Sequence, residues 1–95
     1  MATRPELTAE ELGRALTRAQ RQRIMAGDLR PGDVAALRRF VCLSQEELAR
    51  AFGISVHTVR YWEQGRATPD RADLALLQFA AHYPRILRRN LELGV

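Results

Sequence analysis

The run SQEELARAFGISVHTVRYWEQG, Ser44 to Gly65, decides how this chain is read. Ser44 and Glu47 stand at capping-box spacing: the serine hydroxyl accepts from the third helical amide while the glutamate reaches back to the serine N–H. Leu48, Ala49 and Phe52 then fall on one face of a helix that Gly53 stops. Only Ile54 and Ser55 separate that stop from a second helix, capped by Ser55 and running from Val56 to Gln64, with Gly65 beyond it. Val59 and Trp62, three apart, point inward. A turn this short makes two helices cross steeply rather than lie antiparallel. Gly53 suits the turn because glycine adopts positive φ without a Cβ penalty. Ala49 is small enough for close approach, Ile54 and Val59 fill the angle, and Leu48 and Trp62 join the pair to the remaining core. Outward positions of the second helix are Val56, His57, Arg60 and Tyr61. Its N-terminal half is therefore free to enter a major groove as a recognition helix does. The first helix begins at Ser44-Gln45, where free amides and the positive dipole end favour a phosphate.

Working outward, Thr8 and Glu11 predict a capping box opening a helix from Thr8 to Ala26. Leu12, Leu16, Ala19 and Ile24 form its thin apolar stripe, and Gly27 its left-handed C-cap. Residues Gly27 to Gly32 read as a loop, with Pro31-Gly32 as a turn. Asp33 is expected to cap a helix over Val34 to Val41, with Ala36, Leu37, Phe40 and Val41 inward. After the loop Arg66 to Pro69, a fifth helix runs from Arg71 to Ala81. Its apolar positions are Leu74, Leu77 and either Phe79 or Ala80. Pro84 suits the first turn of a last helix, Arg85 to Leu93. No period-two alternation marks a strand. The expected class is all-α: a compact bundle of about five helices containing the helix-turn-helix, with an N-terminal helical extension. The expected boundary leaves residues 1–30 as the extension and 31–95 as the domain.

Composition narrows the function. The chain has 95 residues, 46% of them hydrophobic, which suits one small folded domain rather than a disordered segment. All 15 cationic side chains are arginine and the net charge is +4, a bias towards polyanions. Arginine favours bidentate contact with phosphate and guanine, but GC-rich coding yields the same preference, so this carries little weight. No apolar run approaches membrane-spanning length and no charged-then-apolar leader opens the chain. A cytoplasmic, nucleoid-associated bacterial protein with no membrane contact is expected. The single cysteine, Cys42, sits among Phe40, Val41 and Leu43 and reads as a small buried hydrophobe. With two distant histidines it makes no metal-ligand cluster. No nucleophile–base pair and no glycine-rich phosphate loop are present, so no enzyme, no cofactor and no metal are expected.

The residues Ser44 to Ala49, Gly53-Ile54-Ser55, Thr58-Val59 and Trp62 to Gly65 carry a resemblance to the Xre/Cro-type helix-turn-helix family of phage-repressor-like regulators. It extends from Asp33 to about Ala81. It implies a lambda-repressor-like DNA-binding fold and a homodimer on a palindromic double-stranded operator. Base edges would meet Ser55, Val56, His57 and Tyr61, joined by Arg60 from its outward position. Phosphates would meet Ser44, Gln45, Thr58, Gln64 and Arg66, with Gln45 also supporting the recognition helix. Glu63 would be structural, paired with Arg38 or Arg39. Two departures stand out. Ala67 replaces a residue that is often basic or polar, and Val56 and Tyr61 are less polar than usual. Readout would lean on thymine-methyl contact by Val56 and hydrogen bonds from His57, Arg60 or Tyr61.

The following stretch, ATPDRADLALLQFAAHYPRIL, resembles the tail of HigA-like antitoxins. That likeness implies a dimer interface at Leu74, Leu77, Ile86, Leu87 and Leu91, some of which must first serve the protomer's own core. It also implies a cognate toxin as partner. Thr8 to Ala26 would then dock that toxin or pack on the domain as an extra helix. The five arginines from Arg4 to Arg23 argue against docking on a basic ribonuclease. The leading reading is an autoregulating antitoxin repressor; alternatives are a stand-alone or phage-derived repressor, or an interaction module that kept the scaffold without DNA binding.

Overall fold

Side-chain caps decide where four of the five described helices begin. The structure, a computed structural model, describes residues 15–87. It contains α1 (Arg18–Ala26), α2 (Asp33–Phe40), α3 (Gln45–Phe52), α4 (Val56–Glu63) and α5 (Arg71–His82), then a helical turn at 84–87. Among the described residues there is no strand, and no helix is long and apolar enough to cross a membrane.

The first helix does not run unbroken from Thr8. Thr17 is extended and forms its own capping box, its hydroxyl accepting from Gln20 N at 3.0 Å while Gln20 Oε1 accepts from Thr17 N at 2.9 Å. A helix cannot continue through a residue that caps one, so α1 starts at Arg18. The expected Thr8–Glu11 box and Leu12 lie outside the described residues. Ser44 and Glu47 do form their box, at 3.1 and 2.8 Å, and Ser55 caps α4 by accepting from His57 N at 3.1 Å. Asp70 caps α5, accepting from Asp73 N at 2.8 Å.

Asp33 is not a cap. Gly32 takes that position, and Asp33 enters the first turn of α2 with 1% of its surface exposed. Its carboxylate accepts from Arg23 Nε and NH2, both at 2.8 Å, and from Arg30 N at 3.0 Å. This bidentate pair fastens α1 to α2. Polar bonds also fasten α1 to α5. Gln78 Nε2 donates to the carbonyls of Ile24 and Met25, at 3.2 and 3.3 Å, and Arg21 NH1 donates to that of Ala81 at 3.0 Å. Arg21 also lies 5.5 Å over the Phe40 ring.

The core draws one fully buried side chain from every helix: Ile24, Leu37, Leu48, Val59 and Leu77. Ile24 thus belongs to the same core as the helix-turn-helix, and the boundary expected at residue 30 passes between Arg23 and Asp33. On α5 it is Ala80 that faces inward, while Phe79 is exposed. Leu77 and Leu87 are spent within the protomer, so neither offers surface to a second chain. Leu74 is half-buried over Gly27, Ile86 is exposed, and Leu91 lies outside the described residues.

Cys42 is exposed rather than buried. It follows α2 in the left-handed region, φ 61°, where its N–H reaches Arg39 O and the Leu43 N–H reaches Arg38 O. Such a helix end is a glycine position, and a side chain there points to solvent while its neighbours Val41 and Leu43 turn inward.

Two expectations follow for stability. Cys42→Gly relieves left-handed strain and should raise stability by about 0.5–1 kcal/mol after the added unfolded-state entropy, read by denaturant titration; a loss of stability would contradict the strain. The hydrogen bonds from Arg23 outweigh burial and hold the Asp33 carboxyl below its ordinary pKa. Such a group stabilises the fold above the unfolded carboxylate pKa, about 4, and the contribution is lost as pH falls through the folded value. Melting temperature should therefore drop on acidification below about pH 4, and less steeply in Asp33→Asn; parallel profiles would contradict the assignment.

Candidate nucleic-acid interface

α3 and α4 form the crossing pair. Gly53, at φ 69°, closes α3 and sends its N–H to Ala49 O and Arg50 O, and the Ile54 N–H returns to Ala49 O at 3.0 Å. The chain therefore reverses within two residues, with Ile54 and Val56 packed half-buried against the core. Val59 and Trp62 are buried, which fixes the rotation of α4. His57 and Tyr61 consequently project, Tyr61 with 47% of its surface exposed, while Thr58 and Arg60 are half-buried.

One carboxylate ties this pair to α2. Glu63 accepts from Arg38 Nε at 2.7 Å and NH2 at 3.1 Å, and from Gln45 Nε2 at 3.1 Å. Arg38 NH1 also donates to Leu43 O at 3.2 Å, just before α3. Arg38, not Arg39, is thus the ion-pair partner of Glu63. Burial alone would raise the Glu63 pKa. Hydrogen bonds from Arg38 and Gln45, with the charges of Arg38 and Arg39, outweigh it and hold the group below the ordinary value.

Gln45 is gripped from both ends. Glu63 can only accept, so it takes the amide nitrogen, while Arg60 Nε can only donate and meets Gln45 Oε1 at 3.2 Å. The amide orientation follows from the partners, and its second N–H is left for an outside acceptor. Arg60 NH2 also reaches Glu46 Oε1 at 3.3 Å. Sequence reasoning missed Glu46. The available signal was a carboxylate in the first turn of α3, beside the position expected to meet a phosphate.

The other expected residues distribute as follows. The Ser44 N–H is taken by Glu47, which leaves the backbone amides of Gln45 and Glu46 as anion donors at this helix end. Ser55 is exposed, with its hydroxyl engaged at the cap. Gln64 ends α4, and Gly65 at φ 74° turns the chain so that Arg66 N returns to Tyr61 O at 2.9 Å. Gln64 and Arg66 are both exposed there. One surface thus gathers the α3 start, the outer side of α4 and the loop after it. Among the described residues no group of three His, Cys, Asp or Glu is placed to hold a metal.

Comparison with known proteins agrees with this arrangement. The chain matches the helix-turn-helix domain family over residues 11–91. It is 30% identical over 60 residues to the uncharacterized HTH-type transcriptional regulator YiaG of Escherichia coli (strain K12), covering 63% of this chain and 62% of that protein. It is 29% identical over 66 residues to Antitoxin HigA-2 of Vibrio cholerae serotype O1, covering 70% of this chain and 64% of that one. The chain therefore spans less than two thirds of the length of either relative. No solved structure matches it. With the short turn around Gly53, the inward Trp62 and a family match over most of its length, the chain belongs to the helix-turn-helix domain family, in its Xre-type form.

Proposed function

We propose that this protein is a sequence-specific DNA-binding transcriptional repressor that lays α4 in a major groove. The observation that carries this is the Gln45 amide, fixed between Glu63 and Arg60 with one N–H still to give, beside an α4 face that the fold leaves exposed. A donor pre-oriented this way binds a phosphate with little ordering cost. Gln45, Thr58, Gln64 and Arg66 take phosphates, joined by the Ser44 hydroxyl. Ser55, Val56, His57, Arg60 and Tyr61 face base edges, Val56 against a thymine methyl and Arg60 towards guanine.

One such helix reads few base pairs, so the protein acts as a two-fold dimer on half-sites about one helical turn apart. The dimer face is on the outer side of α5 and the turn after it. Leu76, Phe79, Tyr83 and Ile86 stand exposed there, with the Phe79 and Tyr83 rings 5.1 Å apart. This replaces Leu77 and Leu87, which the core consumes.

The likeness to Antitoxin HigA-2 supports a further step: autorepression coupled to neutralising a cognate toxin. The likeness to a transcriptional regulator supports the second reading, a stand-alone repressor. Co-expression with the product of a neighbouring toxin-like gene separates them. Truncations for that test should end before Thr17, because removing α1 would take Ile24 from the core, roughly 1.5–3 kcal/mol of burial alone.

A duplex selected from a random pool tests DNA binding. With six to ten phosphate contacts, affinity should fall by about three to five decades between 50 and 200 mM salt. Arg66→Ala should weaken binding evenly across sequences and reduce the salt slope by about 1, whereas His57→Ala should relax base preference. Affinity flat with salt would contradict the phosphate contacts. For the dimer, Phe79→Glu and Ile86→Glu should shift the sedimenting species from dimer to monomer without loss of helicity; an unchanged dimer would place the interface elsewhere.

A further inference from the structure

We propose that Arg30, on the loop between α1 and α2, is a DNA-backbone contact that takes a phosphate near the one held by Arg66. This rests on the DNA-binding reading above and deepens it by adding a second loop to the interface.

The α1–α2 loop and the loop after α4 lie against each other. A Cβ on Gly65 would stand 3.5 Å from Pro31 Cγ. Arg30 and Pro31 from the first loop, with Gly65, Ala67 and Thr68 from the second, line one groove open to solvent. Arg66 is exposed between two of those residues, so the groove is continuous with the loop that meets the backbone in the proposed complex. Arg30 and Thr68 are exposed there, and Ala67 contributes only a methyl group. The cation on this part of the surface therefore comes from the facing loop.

Arg30 is held by its backbone and free at its tip. Its N–H donates to Asp33 Oδ2 and its carbonyl accepts from Asp33 N, both at 3.0 Å. The Asp33 carboxylate takes its other donors from Arg23, so the Arg30 guanidinium is not needed there. Among the described residues that guanidinium has no hydrogen-bond or ion-pair partner. By contrast, Arg21, Arg23, Arg38 and Arg60 each direct theirs to a partner within the protomer. The loop's acid, Asp28, is bonded through its N–H to Arg23 O at 2.9 Å, at the end of α1, and does not line the groove. A phosphate thus meets an exposed arginine fork, with only the side chain left to order on binding. Phosphates follow one another about every 3.4 Å of helix axis on each strand. A strand held by Arg66 therefore brings a neighbouring phosphate within reach of the long Arg30 stem.

The test measures affinity from 50 to 200 mM salt for wild type, Arg30→Ala, Arg30→Gln, Arg30→Lys, Arg66→Ala and the Arg30→Ala/Arg66→Ala pair, on the selected operator and on a random duplex. Arg30→Ala and Arg30→Gln should each weaken binding about fivefold to tenfold near 0.1 M salt and lower the salt slope by about 1 for each half-site bound. The loss should be equal on both duplexes, because a phosphate carries no sequence. Arg30→Lys should recover most of it, and the two alanine substitutions should add in slope. Arg18→Ala, at the opposite end of α1, should change neither quantity. Phosphate ethylation should show one position per half-site that hinders wild type but not Arg30→Ala, distinct from the position lost in Arg66→Ala. An unchanged slope in Arg30→Ala beside a lowered one in Arg66→Ala would overturn the proposal and leave DNA binding intact. An equal drop in Arg18→Ala, or an ethylation pattern that Arg30→Ala leaves unaltered, would overturn it in favour of a general charge effect. Failure of the wild type to bind any duplex would overturn both.

Discussion

At the end of α4 the Glu63 carboxylate accepts from Arg38 on α2 and Gln45 on α3, and through Gln45 it also fixes Arg60. Three helices meet on one acceptor whose side chain is only 11% exposed. A carboxylate this buried has to be satisfied, and here Arg38 can only donate while the Gln45 amide, its oxygen held by Arg60, presents its nitrogen. The arrangement therefore sets geometry as much as stability. It fixes the angle of α3 to α4, the register of α2 beneath them, and the direction in which the Gln45 amide points. Removing one partner would leave charge stranded in the others, the costly case for buried pairs.

A second clamp works from the opposite side. Asp33 holds Arg23, Gln78 holds the end of α1, and Ile24 fills the core beneath. The first turn of α2 and its last part are thus pinned by different carboxylates, Asp33 and Glu63 through Arg38. Val59 and Trp62 rest on this frame and set the rotation of α4. What α4 shows to solvent is then whatever its sequence places on the remaining side: His57, Arg60 and Tyr61. The site is a surface presented by a braced scaffold, and its chemistry is hydrogen bonding and charge.

The helix-turn-helix was legible because its signals are local. The Ser44–Glu47 box, Gly53 and the inward spacing of Val59 and Trp62 each act within a few residues. The Thr17–Gln20 box is equally local, but a helix drawn from Thr8 to Ala26 runs straight through it. Asp33 was misread because a cap and a buried ion-pair acceptor look alike until the position of Arg23 is known. Cys42 was misread because its apolar neighbours suggested burial, whereas its left-handed backbone turns the side chain out. The same limit explains α5. Phe79 and Ala80 both satisfy a helical stripe, and only the packed core shows that Ala80 is the inward one. Sequence spacing left Arg38 and Arg39 as alternatives for Glu63; the phase of α2 chooses Arg38.

In the function proposed, one surface, made of the α3 start, the outer side of α4 and the loop after it, meets DNA. Backbone amide shifts recorded while a selected duplex is titrated into isotope-labelled protein test it most directly. The largest changes are expected at Gln45, Glu46, Val56, His57, Tyr61, Gln64 and Arg66, with α1 and the outer side of α5 little affected. Changes concentrated on α1 or on Phe79 and Tyr83, with α4 silent, would contradict it.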